Sequence, residues 1–288
     1  MMIVENEHFK IMQLTDIHLG QLPFNLEDIK TLDMIRKYIT LENPDLVIIT
    51  GDLIWSEGVK NPAASYQQLI NLLNEFPNPV AITYGNHDSE ESLSRNDLRE
   101  LEDKLVNIVE KENSFIDSRG REAYTVELFK EEKLKNVCYF FDTGSMSPLD
   151  DESYDFVSID QIDWYEKTRN SYKQNDSETE DLCFLHIPLP EYEQAGEKIK
   201  DGYFWEQNPR IASPKLNTGL FSRFVLNNHI KYIFCGHDHD NNFVGEYLGI
   251  NCVYGNVSGY NCYGDLPRGY RIISITDRQI ETFVKLYS

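Results

Sequence analysis

Residues 46–52 read LVIITGD, an apolar run that leads directly into a glycine and an aspartate. A similar run, FKIMQL at residues 9–14, precedes it, and a third, VAITY at residues 80–84, follows it. Stretches with helical spacing separate the three runs. Strands that are apolar on both faces are typical of a parallel sheet covered by helices. The first half of the chain is therefore predicted to have an α/β fold.

The segments between these runs carry helix signals. Asn25 is placed to cap a first helix. The apolar positions of that helix are predicted to share one face: Leu26, Ile29, Leu32, Ile35 and Ile39. Further along the chain, Ser158 is followed three residues later by Gln161, which is the spacing of a capping box and predicts another helix start.

The second half of the chain is richer in strand patterns. Residues 124–128 and 137–141 follow each other without a helical segment and are expected to pair as antiparallel neighbours. Buried runs follow at 182–185 and 232–235, and strand patterns continue to residue 287. We predict two mixed β-sheets packed face to face and flanked by helices, a four-layer α/β/β/α sandwich that forms a single domain over residues 1–288.

Composition limits the possible partners. The net charge of −21 disfavours long nucleic acids, because binding to a phosphate backbone depends on lysine and arginine. The first ten residues lack the pattern of a signal peptide, and no apolar stretch approaches the roughly 18 residues that a membrane span needs. We expect a cytoplasmic protein with no membrane partner and leave its oligomeric state open. The five cysteines show no CxxC pair and are predicted to be buried free thiols.

Five short polar segments follow predicted buried strands. In open α/β sheets, the loops beyond the carboxyl ends of the strands gather into one crevice, so these segments are expected to meet. The segments are Asp16-Ile17-His18, Gly51-Asp52, Gly85-Asn86-His87-Asp88, His186-Ile187-Pro188 and Gly236-His237-Asp238-His239.

The residue types in these segments indicate metal binding. Carboxylate oxygens, imidazole nitrogens and an asparagine oxygen together suit borderline-hard ions such as Mn, Fe or Zn. Counting charges favours two ions, divalent or of mixed valence. Two divalent ions bring four positive charges, and two aspartates with a bridging hydroxide remove three, which leaves about +1 to attract a phosphate dianion.

The order of the five segments resembles the motif series of the calcineurin-like metallophosphoesterase superfamily. Within it, residues 186–191 (HIPLPE) and 236–243 (GHDHDNNF) are similar to the short purple-acid-phosphatase-like proteins of plants and fungi. Residues 217–221 (NTGLF) also fit that group. The resemblance extends over nearly the whole chain.

The resemblance implies a role for each matched residue. Asp16, His18 and His239 would hold one metal ion. Asn86, His186 and His237 would hold the other, and Asp52 would bridge the two. His87 would act as general acid on the substrate, and Asp88 would orient the His87 ring. A hydroxide that bridges the metals would attack a phosphomonoester, so the expected substrate is a small phosphoester.

One departure from the resemblance affects the metals. Purple acid phosphatases carry a metal-bound tyrosine three residues after the bridging aspartate, whereas this chain has Trp55 there. Since indole offers no anionic oxygen, no purple tyrosinate colour is expected. Two alternatives to a phosphomonoesterase stay open: a phosphodiesterase that acts on small or cyclic nucleotides, and a non-catalytic scaffold with the same fold.

Overall fold

The computed structural model describes residues 2–3, 8–149, 152–174 and 179–288. Its strands, in chain order, are β1 (Met2–Ile3), β2 (His8–Leu14), β3 (Leu46–Thr50), β4 (Val80–Thr83), β5 (Glu112–Ile116), β6 (Glu122–Lys130), β7 (Lys133–Phe141), β8 (Asp181–Phe184), β9 (Ile199–Asp201), β10 (Ile230–Cys235), β11 (Val244–Tyr247), β12 (Ile250–Tyr254), β13 (Gly269–Thr276) and β14 (Ile280–Leu286). Its helices are α1 (Leu26–Glu42), α2 (Pro62–Leu73), α3 (Arg95–Glu102), α4 (Ile159–Gln174), α5 (Tyr192–Ala195) and α6 (Leu220–Asn227).

These strands form two mixed sheets within the described ranges. The five-stranded sheet has the order β14-β13-β2-β3-β4, with β2, β3 and β4 parallel to one another. The nine-stranded sheet has the order β1-β6-β7-β8-β10-β12-β11-β9, with β5 beside β6. Its central strands β7, β8, β10 and β12 are parallel, whereas β6 pairs antiparallel to β7, and β11 pairs antiparallel to β12.

The buried side chains of each strand alternate between two cores. In β3, Ile48 faces the other sheet and packs in a cluster with Phe140 and Phe184, whereas Val47 and Ile49 face the helices α1 and α2. A third cluster joins the outer face of the nine-stranded sheet to α4 and α6. The period-two alternation of strand side chains thus produces four layers. The predicted α/β/β/α sandwich is confirmed.

The two predicted helix caps are present. The Asn25 side chain accepts a hydrogen bond from the backbone N–H of Asp28 at 2.7 Å, and α1 begins at the next residue. Ser158 and Gln161 exchange the reciprocal bonds of a capping box ahead of α4. The predicted apolar face of α1 is only half right, because Leu26 is 79% and Ile29 47% exposed. In the first turns of α1 the buried side chains are instead the polar residues Asp28 and Thr31.

The cysteines are free thiols, and four of them (Cys138, Cys183, Cys235 and Cys252) are buried in strands, as predicted. The fifth, Cys262, lies in the loop between β12 and β13 and is only partly buried. Among the residues that the structure describes, no helix has the length and apolar character that crossing a bilayer would require.

Candidate metal centre

All five polar segments follow strands whose carboxyl ends point to the same edge of the sandwich. The segments that contain Asp16, Asp52 and Asn86 follow β2, β3 and β4 of the five-stranded sheet. Those that contain His186 and His237 follow β8 and β10 of the nine-stranded sheet. The candidate ligands therefore converge from both sheets, at the line where the two meet.

The backbone at this edge is strained. Asp16, His18, Asp52 and His237 have φ values of 53°, 50°, 51° and 82°, in the left-handed region. This conformation costs a non-glycine residue on the order of 1 to 2 kcal/mol. Such strain concentrates at functional sites, where the surrounding structure holds it in place. The strain here is compatible with a site selected for chemistry rather than for stability.

Two glycines allow the segments to approach one another closely. A Cβ atom at Gly236 would collide with the Thr15 hydroxyl, and a Cβ at Gly85 would collide with the Asp52 carboxylate. Only glycine offers no side chain at such contacts. Each glycine precedes a candidate ligand, so the close packing brings His237 and Asn86 next to the aspartates.

Three of the predicted ligands, Asp16, His18 and His239, form what we term the first ligand group. The His239 Nε2 atom lies 3.4 Å from an Asp16 carboxylate oxygen and 3.1 Å from the His18 Nε2 atom. The His237 backbone N–H also donates to the Asp16 carboxylate, at 3.1 Å. All three side chains are almost fully buried.

The second ligand group consists of Asn86, His186 and His237. The His186 Nε2 atom lies 3.1 Å from the Asn86 Oδ1 atom. His237 shares a cluster with His186 and Asp52 in which the candidate ligand atoms all lie within 4.8 Å of one another.

Asp52 lies between the two groups. Its Oδ2 atom is 3.0 Å from the His186 Nε2 atom and 3.6 Å from the His18 Nε2 atom. Its Oδ1 atom accepts the backbone N–H of His87 at 2.9 Å. One carboxylate oxygen is thus directed at both groups. The structure brings together all seven residues that the sequence indicated as ligands, and their binding of metals stays a prediction.

In His186 and His239, a hydrogen bond on the side of the ring away from the cluster defines which nitrogen faces the cluster. The Nδ1 atom of His186 lies 2.7 Å from the Thr50 carbonyl oxygen, and that of His239 lies 3.1 Å from the Tyr263 carbonyl oxygen. Because a carbonyl only accepts, both Nδ1 atoms carry a proton, and in the neutral rings both Nε2 lone pairs point into the cluster. There they meet carboxylate and amide oxygens, which are also acceptors. A cation fits such a cluster of converging lone pairs.

The electrostatics of the cluster favour positive charge. Burial alone would raise the pKa of Asp16, but contact with His239 lowers it to about 2. Burial would lower the pKa of His186, whereas the Asp52 carboxylate raises it to about 9. For His237, burial and the neighbouring charge of His186 outweigh the aspartates and lower the pKa to about 3. The two aspartates therefore stay ionised and require compensation, by protons on neighbouring rings or by metal ions.

His87 differs from the other imidazoles of the site. Its side chain is 26% exposed, and its ring lies edge-on to His18 with 5.2 Å between centroids. The Nδ1 atom donates to the Glu90 carboxylate at 2.5 Å. Burial lowers the pKa of His87, but Glu90 and Asp52 together raise it above its ordinary value. His87 is thus at the mouth of the cluster and is oriented by a carboxylate.

That carboxylate is not the one predicted. Asp88 does not orient the His87 ring, because its two oxygens accept backbone N–H groups of Asp52, Leu53 and Gly85 at 2.7 to 3.0 Å. Burial raises the pKa of Asp88 to about 7. The prediction for Asp88 is wrong because the sharp turn after β4 directs this side chain into the β3 loop. Asp88 instead ties the two ligand-bearing loops together.

Sequence reasoning missed two further side chains at the site. Glu90 carried no signal by itself, although a carboxylate three residues after a histidine can reach it across one helical turn. Cys262 was predicted to be a buried core thiol, yet its sulfur clusters with His18 and His239. Trp55 packs on the His18 ring at 4.1 Å between centroids and donates its indole N–H to the Asn261 carbonyl oxygen.

Comparison with known proteins identifies the family of this chain. A family model described as calcineurin-like phosphoesterase matches residues 9–241. A relative from Arabidopsis thaliana, named probable inactive purple acid phosphatase 29, is 29% identical over 289 residues, which cover 90% of this chain and 74% of that protein. The phosphatase DCR2 of Saccharomyces cerevisiae is 28% identical over 270 residues, which cover 82% of this chain and 44% of that protein.

Solved structures share the fold. A crystal structure of a dimetal phosphatase from Danio rerio superposes with a TM-score of 0.65 and covers 97% of this chain and 99% of that one, at 11% identity. At such low identity the likeness concerns the fold alone. The family model, by contrast, spans most of the chain, and it confirms the resemblance predicted from the motifs. The chain belongs to the calcineurin-like phosphoesterase family.

Proposed function

We propose that this protein is a metal-dependent phosphatase that hydrolyses a small phosphomonoester at a centre of two metal ions. One observation carries the proposal: the Asp52 Oδ2 atom faces His18 of the first ligand group and His186 of the second. An oxygen in that position suits two ions better than one. The bound ions would be Mn, Fe or Zn, judged from the oxygen and nitrogen donors of the two groups.

Each part of the site has a task in this proposal. The first and second ligand groups would each hold one ion, with Asp52 between them. The ions supply Lewis acidity and a water molecule of lowered pKa when they are bound. The protein carries a net charge of −21, so the ions would also be the main attraction for a phosphate group. The same negative surface disfavours long nucleic acids as substrates.

His87 would donate a proton to the leaving oxygen of the substrate. Its Nδ1 proton is bound to Glu90, which leaves Nε2 as the nitrogen that can approach a substrate. The Asp52 Oδ1 atom holds the His87 backbone N–H and so fixes the start of this turn. A general acid at this position contributes about 10²- to 10⁴-fold to turnover in enzymes of known mechanism.

Two alternatives to a phosphomonoesterase differ from it in the preferred substrate or in the absence of turnover. A phosphodiesterase with the same ligands would hydrolyse a bis-aryl phosphate or a cyclic nucleotide faster than an aryl phosphate. A scaffold would hydrolyse neither, and several plant relatives are named probable inactive. Buried acceptors without a cation are costly, and this supports metal binding in all three cases. His87 at the mouth of the site supports turnover.

The experiment combines elemental analysis with two substrates. Purified protein is expected to contain up to two transition-metal ions per chain and to hydrolyse an aryl phosphate faster than a bis-aryl phosphate in the presence of Mn²⁺. Faster hydrolysis of the diester would favour the phosphodiesterase function over the phosphatase function. Metal-loaded protein that turns over neither substrate would support the alternative of a non-catalytic scaffold.

The His87→Ala variant tests the role of the proton donor. We expect turnover of an alkyl phosphate, whose leaving group needs the proton, to fall by about 10²- to 10⁴-fold while the metal content stays the same. The matched control is His8→Ala, which changes an exposed histidine at the start of β2, at the opposite end of that strand from Asp16. Unchanged turnover in His87→Ala would remove this residue from the mechanism.

A further inference from the structure

Cys262 has a position unlike that of the other cysteines. Its sulfur belongs to a cluster with His18 and His239 in which one candidate ligand atom of each residue lies within 4.8 Å of the others. The remaining cysteines are buried in strands β7, β8, β10 and β12, and among the described residues none of them belongs to such a cluster. Cys262 thus brings a sulfur atom to the edge of the first ligand group.

The loop around Cys262 is anchored to the same two histidines. The preceding residue, Asn261, donates its side-chain amide to the His18 carbonyl oxygen at 3.4 Å. The following residue, Tyr263, accepts the ring proton of His239 at its carbonyl oxygen, and its own ring stacks on His239 at 4.0 Å between centroids. Because both neighbours of Cys262 are held, the direction of the cysteine side chain is held as well.

Arg268 stabilises the loop from the other side. Its guanidinium donates to the carbonyl oxygens of Gly259, Leu266 and Cys262 at 2.7 to 2.9 Å. It also lies 4.0 Å from the Cys262 sulfur. Arg268 is therefore used within the loop, and its positive charge would compensate part of the negative charge that a metal-bound thiolate carries.

The imidazole nitrogens of this cluster have few hydrogen-bond partners that a cation would have to displace. The sulfur has a weak contact to the Gly259 carbonyl oxygen at 3.3 Å. His18 is fully buried, and its Nδ1 atom has no hydrogen-bond partner among the described residues. Its Nε2 atom is 3.1 Å from the Nε2 atom of His239, whose proton is on the other nitrogen. A sulfur and two imidazoles thus converge with few donors between them.

We propose that the Cys262 sulfur is a further ligand of the metal ion at the first ligand group. The inference rests on the proposed metal centre and adds a thiolate to it. On binding, the S–H proton is released to solvent and the sulfur lone pair forms the bond to the metal, with no change of oxidation state. A thiolate ligand favours Zn²⁺, Co²⁺ or Fe²⁺ over Mn²⁺ and Mg²⁺. The first position should therefore select a softer ion than the second.

The test is spectroscopic and does not depend on turnover. Full-length protein is stripped of metal and titrated with Co²⁺, whose visible d–d bands report binding and whose near-ultraviolet sulfur-to-metal band reports a thiolate ligand. We expect both bands in the unchanged protein, and loss of the sulfur band alone in Cys262→Ser. Competition between Zn²⁺ and Mn²⁺ should show that Cys262→Ser loses at least about tenfold in preference for Zn²⁺.

Cys252→Ala is the matched control, since it removes a buried thiol from the strand that precedes the loop. This variant should keep the sulfur band. A protein that shows d–d bands without a sulfur band, or a sulfur band that persists in Cys262→Ser, would overturn the proposal and leave the metal centre intact. If no Co²⁺ binds, the proposed metal centre fails, and the role of Cys262 fails with it.

Discussion

At the scale of single residues, the side chains behind the candidate ligands define the chemistry as much as the ligands do. The Thr50 and Tyr263 carbonyl oxygens select the tautomers of His186 and His239. The Glu90 carboxylate does the same for His87 and adds a negative charge beside the ring. Each of these contacts positions an imidazole without touching a substrate. Their removal should therefore change a specific step rather than abolish the site.

Glu90→Gln is predicted to impair proton donation by His87. A neutral amide holds the ring less firmly and no longer favours its charged form, so turnover should fall by about 10- to 100-fold for an alkyl phosphate, whose leaving group needs the proton. With p-nitrophenyl phosphate, whose leaving group departs as an anion, the loss should be much smaller. The measurement is kcat for both substrates at equal metal content.

The control for this prediction is Glu91→Gln, which changes the exposed neighbour of Glu90. It should leave both rates unchanged. Equal losses for the two substrates in Glu90→Gln would show that Glu90 supports the turn rather than the proton transfer. Restoration of the alkyl phosphate rate in Glu90→Asp would support a positioning role.

The convergence of the candidate ligands was predictable from the sequence because their placement follows from strand order. A residue directly after a parallel strand has only one edge of the sheet to occupy, and this holds for Asp16, Asp52 and His186. The direction of a side chain within a tight turn does not follow from strand order. For this reason the prediction gives the ring-orienting role to Asp88 rather than to Glu90, and places Cys262 among the buried thiols.

At the scale of elements, α1 is fastened to the five-stranded sheet by one carboxylate at its end. The Glu42 side chain is 8% exposed and accepts the Tyr270 hydroxyl at 2.9 Å and the Lys285 ammonium at 2.7 Å. Lys10 adds an ammonium at 3.6 Å. These partners come from β13, β14 and β2, so Glu42 joins three neighbouring strands to the helix.

Glu42→Gln is predicted to destabilise the protein by about 1 to 2 kcal/mol at neutral pH, a value reduced by the partial exposure of both lysines. Burial would raise the pKa of Glu42, but Lys285, Tyr270 and Lys10 lower it below its ordinary value of 4.5. A lowered pKa contributes stability that is present above the unfolded value and is lost as pH falls through the folded one. Urea unfolding should therefore show the difference at pH 7 and a smaller one below pH 4.5.

Asp33→Asn is the control for Glu42→Gln, because its ion pair with Arg36 is exposed. It should change the free energy of unfolding by less than about 0.5 kcal/mol. A difference between wild type and Glu42→Gln that stays constant from pH 7 into the acid range would contradict the role of the Glu42 charge.

Elements with a strong apolar pattern were predictable, and those without one were not. The runs that became β2, β3 and β4 are buried along most of their length. In contrast, β5 is the edge neighbour of β6 and is largely exposed, so its sequence carries no period-two pattern. Helix α3 is rich in charged residues and depends on the Ser94 capping box with Asp97, a residue less typical of that position than glutamate.

At the scale of the whole molecule, the candidate metal centre joins the two sheets. The first ligand group takes Asp16 and His18 from the five-stranded sheet and His239 from the nine-stranded one. The second group combines Asn86 with His186 and His237 in the same way. Bound ions would therefore crosslink the two halves of the sandwich and compensate the buried charges of Asp16 and Asp52.

Metal removal is predicted to lower the thermal stability of the protein. A ligand present at about 100 times its Kd stabilises the folded state by about 2.7 kcal/mol, which for a chain of this size corresponds to about 5 to 10 °C in Tm. Calorimetry with and without EDTA, followed by addition of Mn²⁺ or Zn²⁺, measures this shift. The Asp52→Ala variant, which lacks the shared carboxylate, should respond far less. An unchanged Tm in the EDTA-treated protein would speak against ions that connect the sheets.

The spread of the ligands along the chain has a consequence for biosynthesis. The aspartates are made early, at positions 16 and 52, whereas the last imidazole is at position 239. A growing polypeptide on the ribosome exposes the carboxylates long before the histidines of β8 and β10 have emerged. Assembly of the full ligand set, and with it any hydrolytic activity, must therefore wait until translation has passed residue 239.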